Sequence, residues 1–162
     1  MTLPASGLIS LSDVLAELQK ANTARALPIS MGDADVLTLA GKSAPPISLS
    51  DLYGKSSYTP MTVTPHDAYG SGYSGTAGGV ASANASVTIA GGSGGYTIAW
   101  SFVSNPGGLS FSGATNGPFC GVKRSFVKNS QGSFSAQLQC VVTDDTGHVV
   151  TVYADAVIDI DF

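Results

Sequence analysis

The pattern of apolar and polar positions changes near residue 58. Before it, apolar residues come in short groups spaced three and four apart, and prolines separate the groups. After it, apolar and polar residues mostly alternate one by one. A spacing of three and four marks one face of a helix, and alternation marks a half-buried strand. The pattern therefore predicts a helical part at 1–58 and an all-β part at 59–162.

The helical part contains three copies of one short sequence motif, called the phrase below. The segment ISLSDVLAEL at 9–18 returns as ISLSDLYGKS at 47–56, and a weaker copy, ISMGD, occupies 29–33. Each copy has a serine three positions before an aspartate, the spacing of a capping box that starts a helix. Apolar residues around the box predict a hydrophobic staple. The predicted helix-start and docking residues are Ile9, Ser10, Asp13, Val14, Ile29, Ser30, Asp33, Ile47, Ser48, Asp51 and Leu52.

These starts predict three short helices. The first is expected to run from Leu11 to Lys20, and the other two are expected to end at Gly41 and Gly54, because glycine readily adopts the left-handed conformation that ends a helix. So small a helical part buries little apolar surface. We therefore expect it to dock on a partner surface.

The β part shows its clearest alternation at 134–142 and at 150–160, and the segment TDDTGH between them predicts a hairpin turn. Further strands are predicted around 87–89, 96–102 and 122–126, with weaker signals at 61–64 and 109–112. The glycine- and serine-rich passage at 70–83 is interpreted as a long turn or flexible connection. Six or seven such strands predict an antiparallel β-sandwich.

Composition narrows the classes of partner. The 162 residues carry 7 Lys and Arg against 11 Asp and Glu, so nucleic acid is not an expected partner. No apolar run approaches the roughly 20 residues of a membrane span, and the first residues do not form a secretory signal, so neither membrane insertion nor secretion by a leader is expected. Cys120 and Cys140 are expected to stay reduced, since a bond would join neighbouring strands at best.

Only a few weak motifs suggest a catalytic or metal-binding site. The triplet at 145–147, Asp-Thr-Gly, matches that of aspartic proteases, but it lies in a turn where aspartate and glycine are expected anyway. Asp144 and Asp145 lack the spaced acidic series of a calcium loop, and His66 and His148 have no ligand at metal-binding spacing. The sequence therefore predicts no catalytic residue, no metal site and no cofactor, and an enzyme is not expected.

The first third of the chain resembles a pattern near the start of many tailed-bacteriophage virion proteins of the tail and tail-fibre type. The matching segments are ASGLISLSDVLAEL, ISMGDADVLTLAGK and ISLSDLYGKS, in that order. The second part, around GGSGGYTIAWSF and QLQCVVTDDTGH, looks like the immunoglobulin-like or PKD-like modules appended to phage and bacterial surface proteins. The resemblance implies a helical docking unit joined to a C-terminal immunoglobulin-like β-sandwich.

Two functions are open as hypotheses. The leading one is a non-enzymatic structural protein of a phage particle, made in the host cytoplasm and located in the virion, at the tail, tail tip or fibre. Its partners would be other virion proteins and copies of itself. The alternative is a host-attachment module that binds a cell-surface glycan or protein, with Tyr69 and Tyr73 as a recognition loop, because tyrosines among glycines and serines suit adaptable binding surfaces.

Overall fold

A computed structural model describes residues 2–162 and divides the chain into two compact units. The first unit contains the residues up to Met61 together with two loops, Gly91–Gly95 and Asp144–His148. The second unit contains the remaining segments, Thr62–Ala90, Tyr96–Thr143 and Val149–Phe162. The first unit therefore takes in more of the sequence than the predicted helical part at 1–58.

The first unit has two α-helices, α1 at Leu11–Leu18 and α2 at Ala34–Ala40. The expectation of three helices is wrong, because the third segment, Leu49–Leu52, forms only one turn of 3-10 helix. The sequence explains the difference: α1 continues through the helix-forming run VLAEL, whereas the third copy reaches Gly54, which has a φ of +68°, two residues after Leu52. The buried core of this unit consists of Leu3, Ile9, Val14, Leu18, Ile29, Val36, Leu39, Ala40 and Leu52.

The second unit has eight strands in two four-stranded sheets. The strands are β1 (Thr62–His66), β2 (Ala68–Tyr73), β3 (Gly79–Ala90), β4 (Thr97–Ser104), β5 (Ser110–Phe111), β6 (Phe119–Phe126), β7 (Gly132–Thr143) and β8 (Val149–Asp161). One sheet has the order β1-β3-β6-β5 and the other the order β2-β8-β7-β4. The hairpin of β7 and β8 pairs Gly132 with Ile160 at one end and Thr143 with Val149 at the other.

The predicted fold class is wrong for this unit as well. Strand β2 pairs with β8 in parallel, with Ala68 opposite Ala156 and Tyr73 opposite Asp161, so the second sheet is mixed. A purely antiparallel immunoglobulin-like sandwich does not describe this arrangement. The chain passes from one sheet to the other between β1 and β2, and only Asp67 separates the two strands. The Asp67 carboxylate accepts the backbone N–H of Asp155 on β8 at 2.8 Å and so anchors the start of the parallel pair.

The passage at 70–83 is mostly strand, and the interpretation of it as a flexible connection is wrong. It contains most of β2 and the start of β3. The glycines of β2 are needed because the sheets approach each other closely here: a Cβ atom at Gly70 would lie 2.4 Å from the Ser82 carbonyl oxygen. A Cβ at Gly72 would lie 2.8 Å from the Phe126 ring. Glycine in a strand often marks such a close approach.

The two cysteines lie on different sheets, Cys120 on β6 and Cys140 on β7. Both are fully buried free thiols, and burial raises the pKa of each to about 11. The expectation that a bond would join neighbouring strands is therefore wrong, since β6 and β7 are not paired with each other. The reason is that the segment between β6 and β7 connects two sheets instead of forming a hairpin.

Candidate functional site

The three repeats of the first unit form the same local turn. The backbone N–H of Ser10 donates to Asp13 Oδ2 at 2.8 Å, and the corresponding bonds from Ser30 to Asp33 and from Ser48 to Asp51 measure 2.9 and 2.8 Å. In all three copies the aspartate N–H also donates to the serine carbonyl oxygen, at 3.0–3.1 Å. The repeated spacing therefore encodes a turn closed by its own carboxylate.

The repeats differ in the structure that the chain forms after the turn. Ser10 with Asp13 and Ser48 with Asp51 each form a complete capping box, at the start of α1 and of the 3-10 helix respectively. Ser30 starts no helix, because α2 begins only at Ala34, after Asp33. In this copy the Ser30 hydroxyl oxygen accepts the N–H of Gly32 at 3.2 Å, a local bond that competes with helix capping.

The aspartates of the turns carry stabilised negative charges. Hydrogen bonds from Ser10 lower the pKa of Asp13, and those from Ser48, with a smaller contribution of Lys42, lower the pKa of Asp51. The backbone N–H of Ser30 and then the Arg25 guanidinium lower the pKa of Asp33. Hydrogen bonding to the charged form of a carboxyl group is the common cause. Each of the three carboxylates is therefore stabilised in its charged form and fixes the backbone of its turn by a hydrogen bond.

The apolar residues of the predicted staples lie inside the unit. Ile9, Val14, Ile29 and Leu52 are buried members of its core, and Ile47 packs against that core while partly exposed. The repeats thus bring these side chains together in one cluster. The four buried residues therefore help to hold the unit together.

Leucines at other positions of the same segments are exposed instead. Leu8 is fully exposed, Leu27 is 67% exposed, and Leu11 and Leu49 are 41% and 37% exposed. Leu11 and Leu49 occupy the same position of the repeated phrase ISLSD. The surface of the first unit therefore carries apolar side chains that its own core does not use.

Glu17 is a structural residue that the sequence patterns do not single out. It is 2% exposed, and its Oε1 accepts the Ser56 hydroxyl at 3.0 Å and the Ser57 N–H at 3.1 Å. Its other oxygen forms an ion pair with Lys20. A buried carboxylate needs such partners, and here they attach the segment after the third repeat to α1. The only signal in the sequence is an acidic residue on the apolar face of a helix.

The turn TDDTGH contributes a second buried carboxylate, that of Asp144. Its Oδ1 accepts the Thr146 hydroxyl at 2.8 Å and the N–H groups of Thr146 and His148 at 3.0 Å, and its Oδ2 accepts the Ser93 N–H at 3.2 Å. Burial raises the pKa of Asp144, but these hydrogen bonds outweigh it and hold the pKa well below its usual range.

The arrangement around Asp144 joins the two loops of the first unit to the segment after the third repeat. The Tyr58 hydroxyl lies 3.5 Å from Asp144 Oδ2, and the Tyr58 ring stacks on His148 with centroids 4.5 Å apart. Asp145, the aspartate of the protease-like triplet, is exposed in the turn. Within residues 2–162, no group of three or more His, Cys, Asp or Glu side chains is placed to hold a metal ion.

The tyrosines predicted as a recognition loop lie on a strand. Tyr69 and Tyr73 belong to β2, an edge strand of its sheet, and are 72% and 64% exposed. They point away from the core because the alternate residues, Gly70 and Gly72, face the other sheet. The predicted tyrosines are thus accessible, but on a regular sheet surface.

Comparisons with known proteins give no family. No protein-family model matches the chain, and no curated protein matches it. Among solved structures, the chain is 13% identical to a nucleoside hydrolase-related hypothetical protein from Saccharophagus degradans, with a TM-score of 0.40 over 69% of this chain and 28% of that one. The chain thus spans little more than a quarter of that protein's length.

Two smaller structures are also 13% identical, each with a TM-score of 0.28. The M1 domain of titin matches over 61% of this chain and 92% of its own length. A conjugative transposon lipoprotein from Bacteroides eggerthii matches over 60% and 96%. Likenesses this distant assign no function. In the part of the chain that the structure describes, no helix has the length and apolar character needed to cross a membrane.

Proposed function

We propose that the chain is a non-enzymatic structural component of a bacteriophage particle, located in the tail, tail tip or fibre, which docks through its first unit. One observation carries the proposal: three Ser-x-x-Asp turns fold onto one small core, while leucines at equivalent positions of the phrase, Leu11 and Leu49, remain exposed. The resemblance of these three phrases to virion proteins supplies the biological setting.

Exposed leucines favour assembly because apolar side chains gain free energy when a partner removes them from water. The first unit has a core of nine buried residues, which is small for an independent fold. A neighbouring virion protein or another copy of the chain would extend this core. Closed symmetric assemblies provide the same contact for every copy.

The direct test is the protein composition of purified particles. Virions of the phage that encodes the chain are banded on a density gradient, digested and analysed by mass spectrometry. We expect peptides of this chain at a stoichiometry of several copies per particle, comparable to known tail components. A particle that is infectious and intact but lacks the chain would refute the structural role.

A second experiment tests the docking surface. Leu11→Ser and Leu49→Ser are introduced together, and incorporation into particles is compared with that of the wild-type chain. The matched control is Val127→Ser, which changes a 73% exposed apolar residue of the second unit. We expect the double variant to fold and to be lost from particles while the control is retained. Equal incorporation of both variants would contradict docking through the first unit.

The alternative of host attachment by the second unit is favoured by one observation, the exposure of two aromatic rings, Tyr69 and Tyr73, on the same face of β2. Exposed aromatic residues are common at binding surfaces. The purified chain should then adsorb to host cells, and a Tyr69→Ala, Tyr73→Ala double variant should adsorb much less. Particles that attach while the purified chain does not would contradict this alternative.

A further inference from the structure

A groove of about 340 Å³ crosses the outer face of the sheet β2-β8-β7-β4 in the second unit. This volume lies at the lower end of the range of about 300–1,000 Å³ that is usual for small-molecule sites. Seven of its eight lining residues belong to these four hydrogen-bonded strands, and the eighth, Pro106, lies two residues after the end of β4. A site built on paired strands is held more firmly than one built on loops.

The side chains of the groove form two adjacent rows across the strands. In the first row Ser104, Gln137 and Asp155 are register neighbours on β4, β7 and β8. In the second row Ser135, Val157 and Tyr69 are neighbours on β7, β8 and β2. Neighbours of this kind have Cβ atoms about 5 Å apart. One row is thus polar throughout, and the other presents an aromatic ring and a β-branched side chain.

Two side chains of the polar row, Gln137 and Asp155, have hydrogen-bonding groups that the protein itself does not use. In the described chain, residues 2–162, the side chains of Gln137 and Asp155 form no hydrogen bond with protein atoms, and both residues are exposed. Only the backbone N–H of Asp155 is used, as a donor to Asp67. A carboxylate and a carboxamide directly opposite each other offer several acceptors and two donors within reach of one ligand.

We propose that this groove binds a neutral saccharide. A pyranose ring has one face of C–H groups and a rim of hydroxyl groups, so it presents an apolar and a polar surface side by side. The C–H face would lie on Tyr69 and Val157, because an aromatic ring supplies large, rigid contact area. The hydroxyls would donate to Asp155 and exchange hydrogen bonds with Gln137, and bonds to a charged acceptor are the stronger kind.

Two other ligand chemistries fit less well. A peptide added as an extra strand would pair with an edge strand, β2 or β4, and would lie beside the sheet; on the face that carries the groove, the central strands β7 and β8 are already paired on both sides. An anionic ligand would meet the Asp155 carboxylate, and the groove contains no lysine or arginine. The charge and the strand positions therefore favour an uncharged, hydroxyl-rich ligand.

The test is an NMR titration of the whole ¹⁵N-labelled chain. The probes are glucose, galactose, mannose and N-acetylglucosamine, their β- and α-linked disaccharides, and glucuronic acid as the anionic counterpart. We expect at least one neutral sugar to shift the amide signals of Tyr69, Val157 and the Gln137 side chain in a saturable manner. Glucuronic acid should bind more weakly than its neutral counterpart, glucose.

Variants assign the effect to the groove. Tyr69→Ala and Asp155→Ala should each weaken binding about tenfold or more, as expected for the loss of a stacking ring or of a charge-assisted hydrogen bond. Phe119→Ala is the control, since Phe119 is a 69% exposed aromatic residue of β6, in the other sheet, and does not line the groove. Preserved signal dispersion shows that each variant is folded.

Three results would overturn the proposal: no saturable shift with any neutral sugar, shifts that map elsewhere, or affinity unchanged by Tyr69→Ala in a folded variant. Sugar binding in the groove is independent of the structural role, but it rests on the host-attachment alternative, to which it assigns a ligand class at Tyr69; a chain that adsorbs to host cells but binds no sugar would refute only the groove. A chain found in particles but inert to sugars would refute only the groove, and a sugar-binding chain missing from particles would refute only the virion role.

Discussion

The two units of this protein are stabilised by interactions of different range along the chain. The first unit repeats a turn in which a serine and an aspartate three residues later bind each other, and its helices are only seven or eight residues long. The second unit joins distant strands, as when β2 pairs in parallel with β8 near the end of the chain. Local hydrogen bonds decide where the turns form, whereas long-range pairing decides the sheets.

The contrast indicates where each unit is vulnerable. A helix of eight residues is marginal by itself, so the first unit depends on the few apolar side chains of its core. The second unit has long ladders, with twelve residue pairs between β7 and β8 alone. Loss of a single core residue should therefore matter most in the first unit.

The largest effect is expected from Leu52→Ala. Leu52 is fully buried in the core of the first unit, and removing a buried leucine side chain typically costs about 2–5 kcal/mol of unfolding free energy. That is comparable to the whole stability of so small a core, so amide hydrogen exchange in α1 should become nearly unprotected. Leu27→Ala, at a 67% exposed position, is the control and should leave exchange almost unchanged. Equal protection in both variants would show that the unit does not rely on its own core.

A smaller effect is expected in the second unit from Gly70→Ala. The added Cβ would lie 2.4 Å from the backbone oxygen of Ser82, which cannot move without shifting β3. Overpacking of this kind typically costs about 1–3 kcal/mol. Urea unfolding followed by the fluorescence of Trp100, the sole tryptophan and a buried residue of β4, measures the change.

The control for this substitution is Gly113→Ala. A Cβ at Gly113 has no atom within 4 Å, so its midpoint in urea should match that of the wild-type chain. If Gly70→Ala were as stable as the control, the sheets would not be held as close together as they are here. The comparison thus tests the fit between the sheets directly.

The sequence predicts the local features well and the long-range ones poorly. Ser10 with Asp13 and Ser48 with Asp51 form capping boxes because the interacting groups lie three residues apart, so their spacing is visible in the sequence itself. The strand that contains Gly70 and Gly72 could not be predicted from the sequence. Its glycines are required by the close approach of a neighbouring sheet, which no local pattern indicates. Parallel pairing with β8, more than 80 residues away, is equally invisible.

The residues of the candidate sites also include some that the sequence reveals and others that only the fold reveals. Tyr69 stands out as an aromatic residue among glycines, but its neighbours in the groove, Gln137 and Asp155, come from other strands and are identified only by the register. Glu17 and Asp144 resemble ordinary surface acids in the sequence, and only the fold shows that they are buried and bonded. Residues that act locally are therefore predictable, and residues that act through tertiary contacts are not.

Acidification is expected to have the smallest effect on stability, and it should destabilise the first unit more than the second. Asp13, Asp33, Asp51 and Asp144, whose pKa values are lowered by hydrogen bonds, all lie in the first unit. A carboxyl group whose pKa is lower in the folded than in the unfolded chain stabilises the fold above the unfolded pKa, near 4, and this contribution is lost as the pH falls through the folded pKa.

The unfolding free energy of the first unit should therefore be level from about pH 7 to 5 and should decline below about pH 4. Hydrogen exchange of α1 amides reports the first unit, and Trp100 fluorescence reports the second. Since hydrogen bonds from the serines are the leading cause at Asp13 and Asp51, 1 M salt should change the decline little, whereas a network of ion pairs would be screened. Earlier loss of the Trp100 signal on acidification would reverse the comparison, because it would place the acid-sensitive contacts in the sheets instead of the turns.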